Sequence, residues 1–248
     1  MMTDEFSLSG RVALVTGSTR GIGAGLADAL ENAGARVWRH GLPAEGQKDA
    51  ILLDLLEPDA ASRLMEAIPG TAPDLLVCNA GGFFDRPFLE MDVAAFRKTM
   101  QLNVEQNYFL IQQFARRLSA EGRPGAVVVV SSVNGFQSED KSTAYDTSKG
   151  ALVMMVRTLS QALAPFRIRV NGLAPGLVRT PLTSRWMDAK PDLVAHYERK
   201  IFLGRVAEPD DLGGTCVFLC SEASRYLTGQ TIVVDGGLTV GQIGRFIP

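Results

Sequence analysis

A strand, a glycine-rich turn and a helix follow one another near the start of the chain, and this order constrains the fold most. Residues 11–16 (RVALVT) are a short β-branched apolar run, which predicts a strand buried on both faces. The turn GSTRGIG (17–23) follows at once, and residues 24–33 carry apolar residues at helical spacing, with Gly34 as the predicted C-cap. Glycines permit a tight turn and close approach of a ligand, and a helix N-terminus attracts phosphate. The segment therefore predicts a dinucleotide-binding turn, with a merely tight strand-to-helix connection as the alternative.

Strands and helices alternate along the rest of the chain. Apolar runs predict further strands at 36–40, 51–53, 74–78, 126–130, 168–171 and 231–234, and helical patterns lie at 58–68, 94–118, 145–164 and 210–220. This order predicts an α/β fold: a single domain over residues 1–248, with a Rossmann-type doubly wound parallel sheet of about seven strands. Residues 181–204 contain no clear strand, and we expect a substrate lid there.

The connection between the second and third predicted strands is short. Only ten residues, 41–50, separate them, and Gly41, Pro43 and Gly46 favour turns. A parallel crossover normally needs about a dozen residues or more. We therefore expect the helix between strands 2 and 3 to be shortened or absent, which would expose the adenosine end of a dinucleotide site.

The end of the second strand bears on the choice of dinucleotide. NAD sites usually have an acidic residue there, whereas arginine accommodates the extra phosphate of NADP. Arg39 and His40 occupy this position, and Arg20 lies in the preceding turn. We therefore expect NADP rather than NAD, although Arg39 could simply point to solvent. Asp54, followed by Leu55, either bonds the adenine amino group or caps the next helix.

The segment SVNGFQSEDKSTAYDTSK (132–149) contains the candidate chemistry. Tyr145 and Lys149 are four residues apart on one face of a predicted helix. A nearby ammonium favours the phenolate, so the pKa of Tyr145 should fall from its reference of about 10. Ser132, at a strand end, could hydrogen-bond a substrate oxygen. This predicts proton transfer at a carbonyl or alcohol oxygen, whereas the alternative is an ordinary surface tyrosine and lysine.

Two further sets of residues have open roles. Asn103 is flanked by Leu102 and Val104, so it is either a buried structural hydrogen-bonder or a site residue. Phe83, Phe84 and Phe88 follow the fourth strand, where packing is slightly favoured over substrate contact.

Composition excludes several classes of function. A formal net charge of -2 gives no reason to expect nucleic acid or membrane binding. Three cysteines and two histidines fit neither a disulfide framework nor a metal site, so no metal is expected. The acidic start lacks the features of a signal peptide, and no apolar run approaches the ~20 residues of a membrane span. We therefore expect a cytoplasmic protein.

Taken together, the motifs resemble the short-chain dehydrogenase/reductase family. The resemblance is carried by TGSTRGIG (16–23), Asn79-Ala80-Gly81, Asn103, Ser132, Tyr145-x-x-x-Lys149 and Pro175-Gly176, and it continues through residues 204–205, 228–230 and 235–237. It implies an NAD(P)-dependent oxidoreductase that transfers a hydride between the nicotinamide and a carbonyl or secondary alcohol of a sugar, polyol or small ketone. It also implies a homodimer or homotetramer packed through the helices that hold Asn103 and Tyr145.

The resemblance also implies roles for individual residues. Tyr145 would be the general acid or base, Lys149 would lower its pKa and bond the nicotinamide ribose, and Ser132 would hold the substrate oxygen. Asn103 would hold a water that links Lys149 to bulk solvent. The implied cofactor-binding residues are Gly17, Thr19, Arg20, Gly21, Ile22 and Gly23 in the turn, Arg39, His40, Asp54 and Leu55 near the adenosine, Asn79, Ala80 and Gly81 at the adenine ribose, and Pro175, Gly176, Val178 and Thr180 towards the nicotinamide.

Two other functions compete with this interpretation. A 3-oxoacyl-carrier-protein reductase would need a basic patch beside the site, for which the candidates are Arg116, Arg117, Arg123 and Arg167, unless these are scattered surface charges. A non-catalytic dinucleotide sensor or scaffold would keep the glycine turn but usually lose the tyrosine or the lysine, and both remain here.

Overall fold

Seven parallel strands form one sheet in the order β3-β2-β1-β4-β5-β6-β7. The computed structural model describes residues 5–42 and 49–241. The strands are β1 (Val12–Val15), β2 (Arg36–Gly41), β3 (Ala50–Leu52), β4 (Leu75–Cys78), β5 (Gly125–Val130), β6 (Ile168–Pro175) and β7 (Thr231–Val234). The strand order reverses between β1 and β4, which places the switch point of a doubly wound sheet there. The predicted fold class is confirmed.

Helices pack on both faces of the sheet. They are α1 (Gly21–Asn32), α2 (Ala60–Glu66), α3 (Val93–Met100), α4 (Gln106–Ala120), α5 (Thr143–Leu163), α6 (Ser184–Ala189), α7 (Pro191–Lys200) and α8 (Gly213–Cys220). A π-helical turn, Gln101–Glu105, joins α3 to α4, so the single helix expected over 94–118 contains a wider turn around Asn103. Such turns often mark functional positions.

Alternating strand residues build two cores. Leu14, Leu76 and Val127 point towards α2, α4 and α5, while their neighbours Ala13 and Val15 point towards α1 and α8. All five side chains are buried. The near-continuous apolar runs seen in the sequence are thus explained by coverage on both faces.

The edge formed by β2 and β3 is less covered. Residues 42–49 join these parallel strands, which pair Arg39 with Ala50 and Gly41 with Leu52. The prediction that the crossover helix is shortened or absent concerns mainly residues 43–48, which lie outside the described residues. Arg39 shares the α1 face with Leu52, and Leu52 is 38% exposed although it belongs to a strand.

Residues 181–204 contain two helices, α6 and α7, that the sequence pattern did not reveal. α6 has only six residues, and α7 begins at Pro191, a favoured first helical residue. Within residues 5–42 and 49–241, no helix combines the length and apolarity that crossing a membrane would require.

Candidate active site

The glycine-rich turn presents free backbone N–H groups at the carboxyl edge of the sheet. Gly17 and Gly21 have φ of +63° and +57°, and a Cβ on Gly23 would lie 2.2 Å from the Gly17 carbonyl oxygen. The first turn of α1 contains no acidic residue, and no side chain caps it. The first N–H groups of the helix are therefore available to a diphosphate, which the helix dipole also favours.

Hydrogen bonds fix this turn to the segment after β4. The Thr16 hydroxyl oxygen accepts from the N–H groups of Asn79 and Ala80, both at 3.0 Å. The Asn79 side-chain amide donates to the carbonyls of Thr16 at 2.9 Å and Gly17 at 3.1 Å. Asn79 thus fixes the glycine turn in place, and Asn79 and Ala80 lie beside it.

His40 supports the same turn from behind. The Gly17 N–H donates to His40 Nδ1 at 3.2 Å, so Nε2–H is assigned as the donor to the Leu53 carbonyl at 3.0 Å. Burial lowers the pKa of His40, which favours the neutral ring that this bonding requires. Both ring nitrogens of His40 are thus used in hydrogen bonds to the backbone, one to Gly17 and one to Leu53.

Asp54 and Leu55 lie next to His40 along this edge. Asp54 accepts from the Leu56 N–H at 2.9 Å, and Leu55 is buried. The N-cap of α2 is Asp59, so the alternative in which Asp54 caps that helix is wrong.

The two arginines of the NADP argument are in different situations. The Arg39 guanidinium donates to Asp28 at 2.5 Å and Glu31 at 2.7 Å, both on α1, so it does not simply point to free solvent. Arg20 is exposed at the N-terminus of α1, and it forms no ion pair with the residues that the structure describes. Arg20 is therefore the arginine free to meet a phosphate.

Ser132, Tyr145 and Lys149 come together beyond the end of β5. The Ser132 side chain lies beside the Tyr145 phenol, and the Lys149 Nζ lies 5.4 Å from the centre of the Tyr145 ring. Lys149 Nζ also donates to the Val130 carbonyl at 3.2 Å. The Ser132 hydroxyl oxygen accepts from the Asn134 N–H at 3.1 Å, which holds it at the strand end.

The acid–base properties of this group differ from the simple expectation. Burial, as the largest cause, raises the pKa of Tyr145 to about 12, and three nearby carboxylates raise it further against the lowering effect of Ser132. Burial lowers the pKa of Lys149 to about 8. The prediction that the pKa of Tyr145 falls is therefore wrong for the protein without bound ligand, because the desolvation of the phenol outweighs the effect of the neighbouring ammonium.

Asn103 lies at the centre of a buried polar network. Its Oδ1 accepts from the Gly82 N–H at 2.8 Å, and its Nδ2 donates to the Gly82 carbonyl and the Ser148 hydroxyl, both at 3.0 Å. A Cβ on Gly81 would lie 3.1 Å from Asn103 Oδ1 and 3.8 Å from Lys149 Nζ. Asn103 is therefore a buried hydrogen-bonder whose position is close to Lys149, and its part in the reaction stays a prediction.

The segment after β4 adds two residues that the sequence argument did not assign to the site. The Phe83 ring lies 5.4 Å from the Tyr145 ring, and Phe83 is 45% exposed, so it contacts the site instead of packing in the core. Asp85 accepts from the backbone N–H groups of Ala144 and Tyr145. No local sequence signal identifies this long-range contact.

A second network links the α7 helix to the loop before α5. The Tyr197 hydroxyl donates to Glu139 at 2.6 Å. The Asn134 side-chain amide donates to both Glu139, at 3.1 Å, and Asp146, at 2.7 Å. The segment 181–204 is thereby joined to the residues next to Tyr145.

The turn after β6 lies against the glycine turn. β6 ends at Pro175, Val178 forms a bridge with Ala207, and a Cβ on Gly21 would lie 3.4 Å from Thr180 Cβ. A Cβ on Gly176 would come within 2.7 Å of the Asp235 side chain, so the backbone there needs a glycine. The predicted nicotinamide side and the predicted pyrophosphate turn therefore share one rim.

The arginines considered for carrier-protein binding are not beside this rim. Arg123 and Arg167 precede β5 and β6 and so lie at the amino ends of these strands, opposite to Tyr145. Arg117 donates to the carbonyls of Met65 and Gly70, near the start of the segment that leads into β4. In the described part of the chain, no group of His, Cys, Asp or Glu side chains could hold a metal ion.

Comparison with known proteins adds independent information. The family model described as enoyl-(acyl carrier protein) reductase matches residues 17–239. The 3-oxoacyl-[acyl-carrier-protein] reductase of Aquifex aeolicus is 32% identical over 94% of this chain and 99% of its own length. The L-rhamnose 1-dehydrogenase (NAD(P)(+)) of Azotobacter vinelandii is 34% identical over 93% and 97% of the two chains. The crystal structure of a gluconate 5-dehydrogenase from Burkholderia cenocepacia, in complex with NADP and tartrate, matches with a TM-score of 0.89 and 31% identity over 96% of this chain and 98% of that chain.

Proposed function

Because the chain belongs to the short-chain dehydrogenase/reductase family, we propose that Tyr145, Lys149 and Ser132 carry its reaction. The protein is an NAD(P)-dependent oxidoreductase acting on a carbonyl or secondary alcohol. The observation that supports the assignment best is that Ser132 and Lys149 lie beside the same phenol, that of Tyr145, with the Lys149 Nζ 5.4 Å from the ring centre.

Each of these side chains has a distinct role in the proposed mechanism. In reduction, the Tyr145 hydroxyl donates its proton to the substrate oxygen, and in oxidation the phenolate accepts it. Ser132 donates a hydrogen bond to the same substrate oxygen. Lys149 is charged below its pKa of about 8, and its charge favours the phenolate. Asn103 holds a water through which Lys149 exchanges protons with solvent.

The residues at the rim fit a nicotinamide dinucleotide. The uncapped N–H groups of α1 suit its diphosphate, residues 79–81 would flank the adenine ribose, and Val178 and Thr180 would hold the nicotinamide amide. When bound, the cofactor supplies or accepts the hydride. We propose NADP as the preferred form because Arg20, at the N-terminus of α1, forms no ion pair within residues 5–42 and 49–241, and the related gluconate 5-dehydrogenase contains NADP.

For the substrate, we propose a sugar, a polyol or a small ketone. The related L-rhamnose 1-dehydrogenase is named for a sugar. A 3-oxoacyl-carrier-protein reductase is the second candidate, favoured by the similarity to the Aquifex aeolicus protein. Within one protomer, however, Arg117, Arg123 and Arg167 lie at the opposite end of the sheet from Tyr145, which favours the first candidate.

The domain is proposed to include a substrate lid at about 181–204. The hydrogen bond from Tyr197 to Glu139 supports this, because it holds α7 against the loop that precedes Tyr145. Trp186 of α6 lies 6.4 Å from the Tyr197 ring, so both helices contribute aromatic surface on this side.

A homodimer or homotetramer is proposed as the working state. Exposed apolar side chains on α4 and α5, including Tyr108, Phe109 and Met154, support a contact with a second copy. A groove of about 460 Å³ between these helices is lined by Ile111, Leu159 and other residues. Sedimentation velocity at micromolar concentration should give at least the dimer mass, and a monomer would contradict the proposal.

A cytoplasmic location is also proposed. The three cysteines are free and buried, which suits a reducing compartment.

The decisive experiment for the function is Tyr145→Phe. Loss of the phenol oxygen removes the proton donor, so turnover of a panel of ketones, sugars, polyols and acyl thioesters should fall by about 1,000-fold. NADPH affinity, measured by fluorescence titration, should stay within about twofold, since the ring remains. Tyr226→Phe, at a fully exposed tyrosine, should retain native turnover. Unchanged turnover in the Tyr145→Phe protein would overturn the assignment.

A further inference from the structure

The N-terminus of α5 is capped by a residue from another part of the chain. The N-cap residue, Ser142, makes no side-chain cap; its hydroxyl donates to Asp146 instead. The two carboxylate oxygens of Asp85 accept from the N–H groups of Ala144 at 2.8 Å and Tyr145 at 3.0 Å. Asp85 thus satisfies two N–H groups that have no partner within the helix.

We propose that Asp85 is a positioning residue for the reaction: it fixes the backbone of Tyr145, and with it the phenol, relative to the substrate oxygen. The proposal rests on the proposed role of Tyr145. Tyr145 lies in the first turn of α5, where a helix frays most easily. A small displacement of a reacting group lowers the rate strongly, so a cap at this residue has a direct consequence for catalysis.

The segment that carries Asp85 contacts the site at three places. Gly82 exchanges two hydrogen bonds with Asn103. The Phe83 ring packs on the Tyr145 ring, and Asp85 binds the Tyr145 backbone. Residues 82–85 therefore hold the backbone and the ring of Tyr145 from one side, and they continue directly from the predicted ribose-flanking residues 79–81.

Asp85 also acts through its charge. The charged and polar groups that face Tyr145 are Lys149 and Asp146 on α5, Ser132 after β5, Glu139 in the loop before α5, and Asp85 after β4. The carboxylate of Asp85 disfavours the phenolate, in the same sense as the other two carboxylates and the burial that dominates. Removing this charge should therefore lower the pKa of Tyr145.

The variant Asp85→Asn tests the hydrogen bonds and the charge of Asp85 in a protein that should still fold. The amide keeps one acceptor oxygen but loses the charge and one of the two hydrogen bonds. We expect kcat for alcohol oxidation to fall about tenfold, with cofactor affinity unchanged. The acid limb of the pH profile should shift to lower pH by a few tenths to about one unit, because the phenolate is less disfavoured.

Asp92→Asn is the matched control. Asp92 caps α3, where its Oδ1 accepts from the Ala95 N–H at 2.7 Å. Asparagine caps a helix about as well as aspartate, so the Asp92→Asn protein should remain folded and should show the native pH profile. Asp85→Ala provides a second variant, with a larger loss of kcat and a shift in the same direction.

The outcomes can be separated. An unshifted pH profile in Asp85→Asn, with kcat reduced no more than in Asp92→Asn, would overturn the role of Asp85 alone. If the native protein turned over no carbonyl or alcohol substrate, the proposed function and this inference would both be overturned. A shifted profile in Asp85→Asn and a native profile in Asp92→Asn would support the inference.

Discussion

Polar side chains are held differently around β4–β6 and along the β2–β3 edge. Near β5 and α5, Asn103, Ser148 and Lys149 are buried and bonded to groups from several elements. At the β2–β3 edge, Arg39 reaches over the sheet to two carboxylates of α1, which are largely exposed. Removing a buried polar group leaves its partners unsatisfied, whereas a surface ion pair contributes little to stability. Losing a polar side chain should therefore cost much more near β5 and α5 than at Arg39.

The side chain of Arg39 lies on the α1 face of this edge. It extends from β2 to Asp28 and Glu31, and its aliphatic stem covers apolar surface while the guanidinium meets the two carboxylates.

The largest effect should come from breaking the buried network. Asn103→Ala removes three hydrogen bonds and leaves the N–H and the carbonyl of Gly82 without these partners, although Ser148 keeps its bond to the Tyr145 carbonyl, so the unfolding free energy should fall by about 3–5 kcal/mol. Turnover should fall by about 100-fold as Lys149 and the 81–82 backbone shift. Urea unfolding and steady-state kinetics measure these changes. Asn107→Ala, which removes one bond to the Asn103 carbonyl, should cost about 1 kcal/mol. If Asn103→Ala and Asn107→Ala lowered stability and turnover equally, the special role given to the Asn103 network would be wrong.

A moderate effect is expected from Arg20→Ala. Because Arg20 is free to pair with the additional phosphate of NADPH, the Kd for NADPH should rise about tenfold, while the Kd for NADH should change by about twofold or less. Fluorescence titration of both cofactors measures the change. Native protein that binds NADH more tightly than NADPH would refute the NADP preference itself.

The smallest effect should come from Arg39→Met. The substitution keeps an apolar stem and removes two surface ion pairs, so stability should fall by less than about 1 kcal/mol. NADPH affinity should remain native, because the guanidinium is already paired. A loss of NADPH affinity as large as that of Arg20→Ala would mean that Arg39 leaves Asp28 and Glu31 to bind the cofactor, and the comparison would then fail.

Local patterns in the sequence predicted much of the fold and the centre of the site. The apolar runs of β1, β4 and β5, the position of Gly34 directly after the C-cap Ala33, and the four-residue spacing of Tyr145 and Lys149 depend on neighbouring residues alone. The contacts that were missed are long-range: Arg39 with α1, His40 beneath Gly17, and Asp85 at the start of α5. The pKa of Tyr145 was also mistaken, because burial depends on packing from several elements at once.

The π-helical turn at Gln101–Glu105 limits how this part of the chain can change in length. Surface loops often accept an added or deleted residue, but removing one residue from this turn would restore a regular α-helix and rotate one side of it by about 100° relative to the other. Asn103 would then leave Gly82 and Ser148 while the apolar face of α4 stayed packed. A homologue with one residue fewer in this turn would keep the core packing of α4 but lose the polar contacts beside Lys149. In related sequences, the length of this helix should therefore vary together with activity.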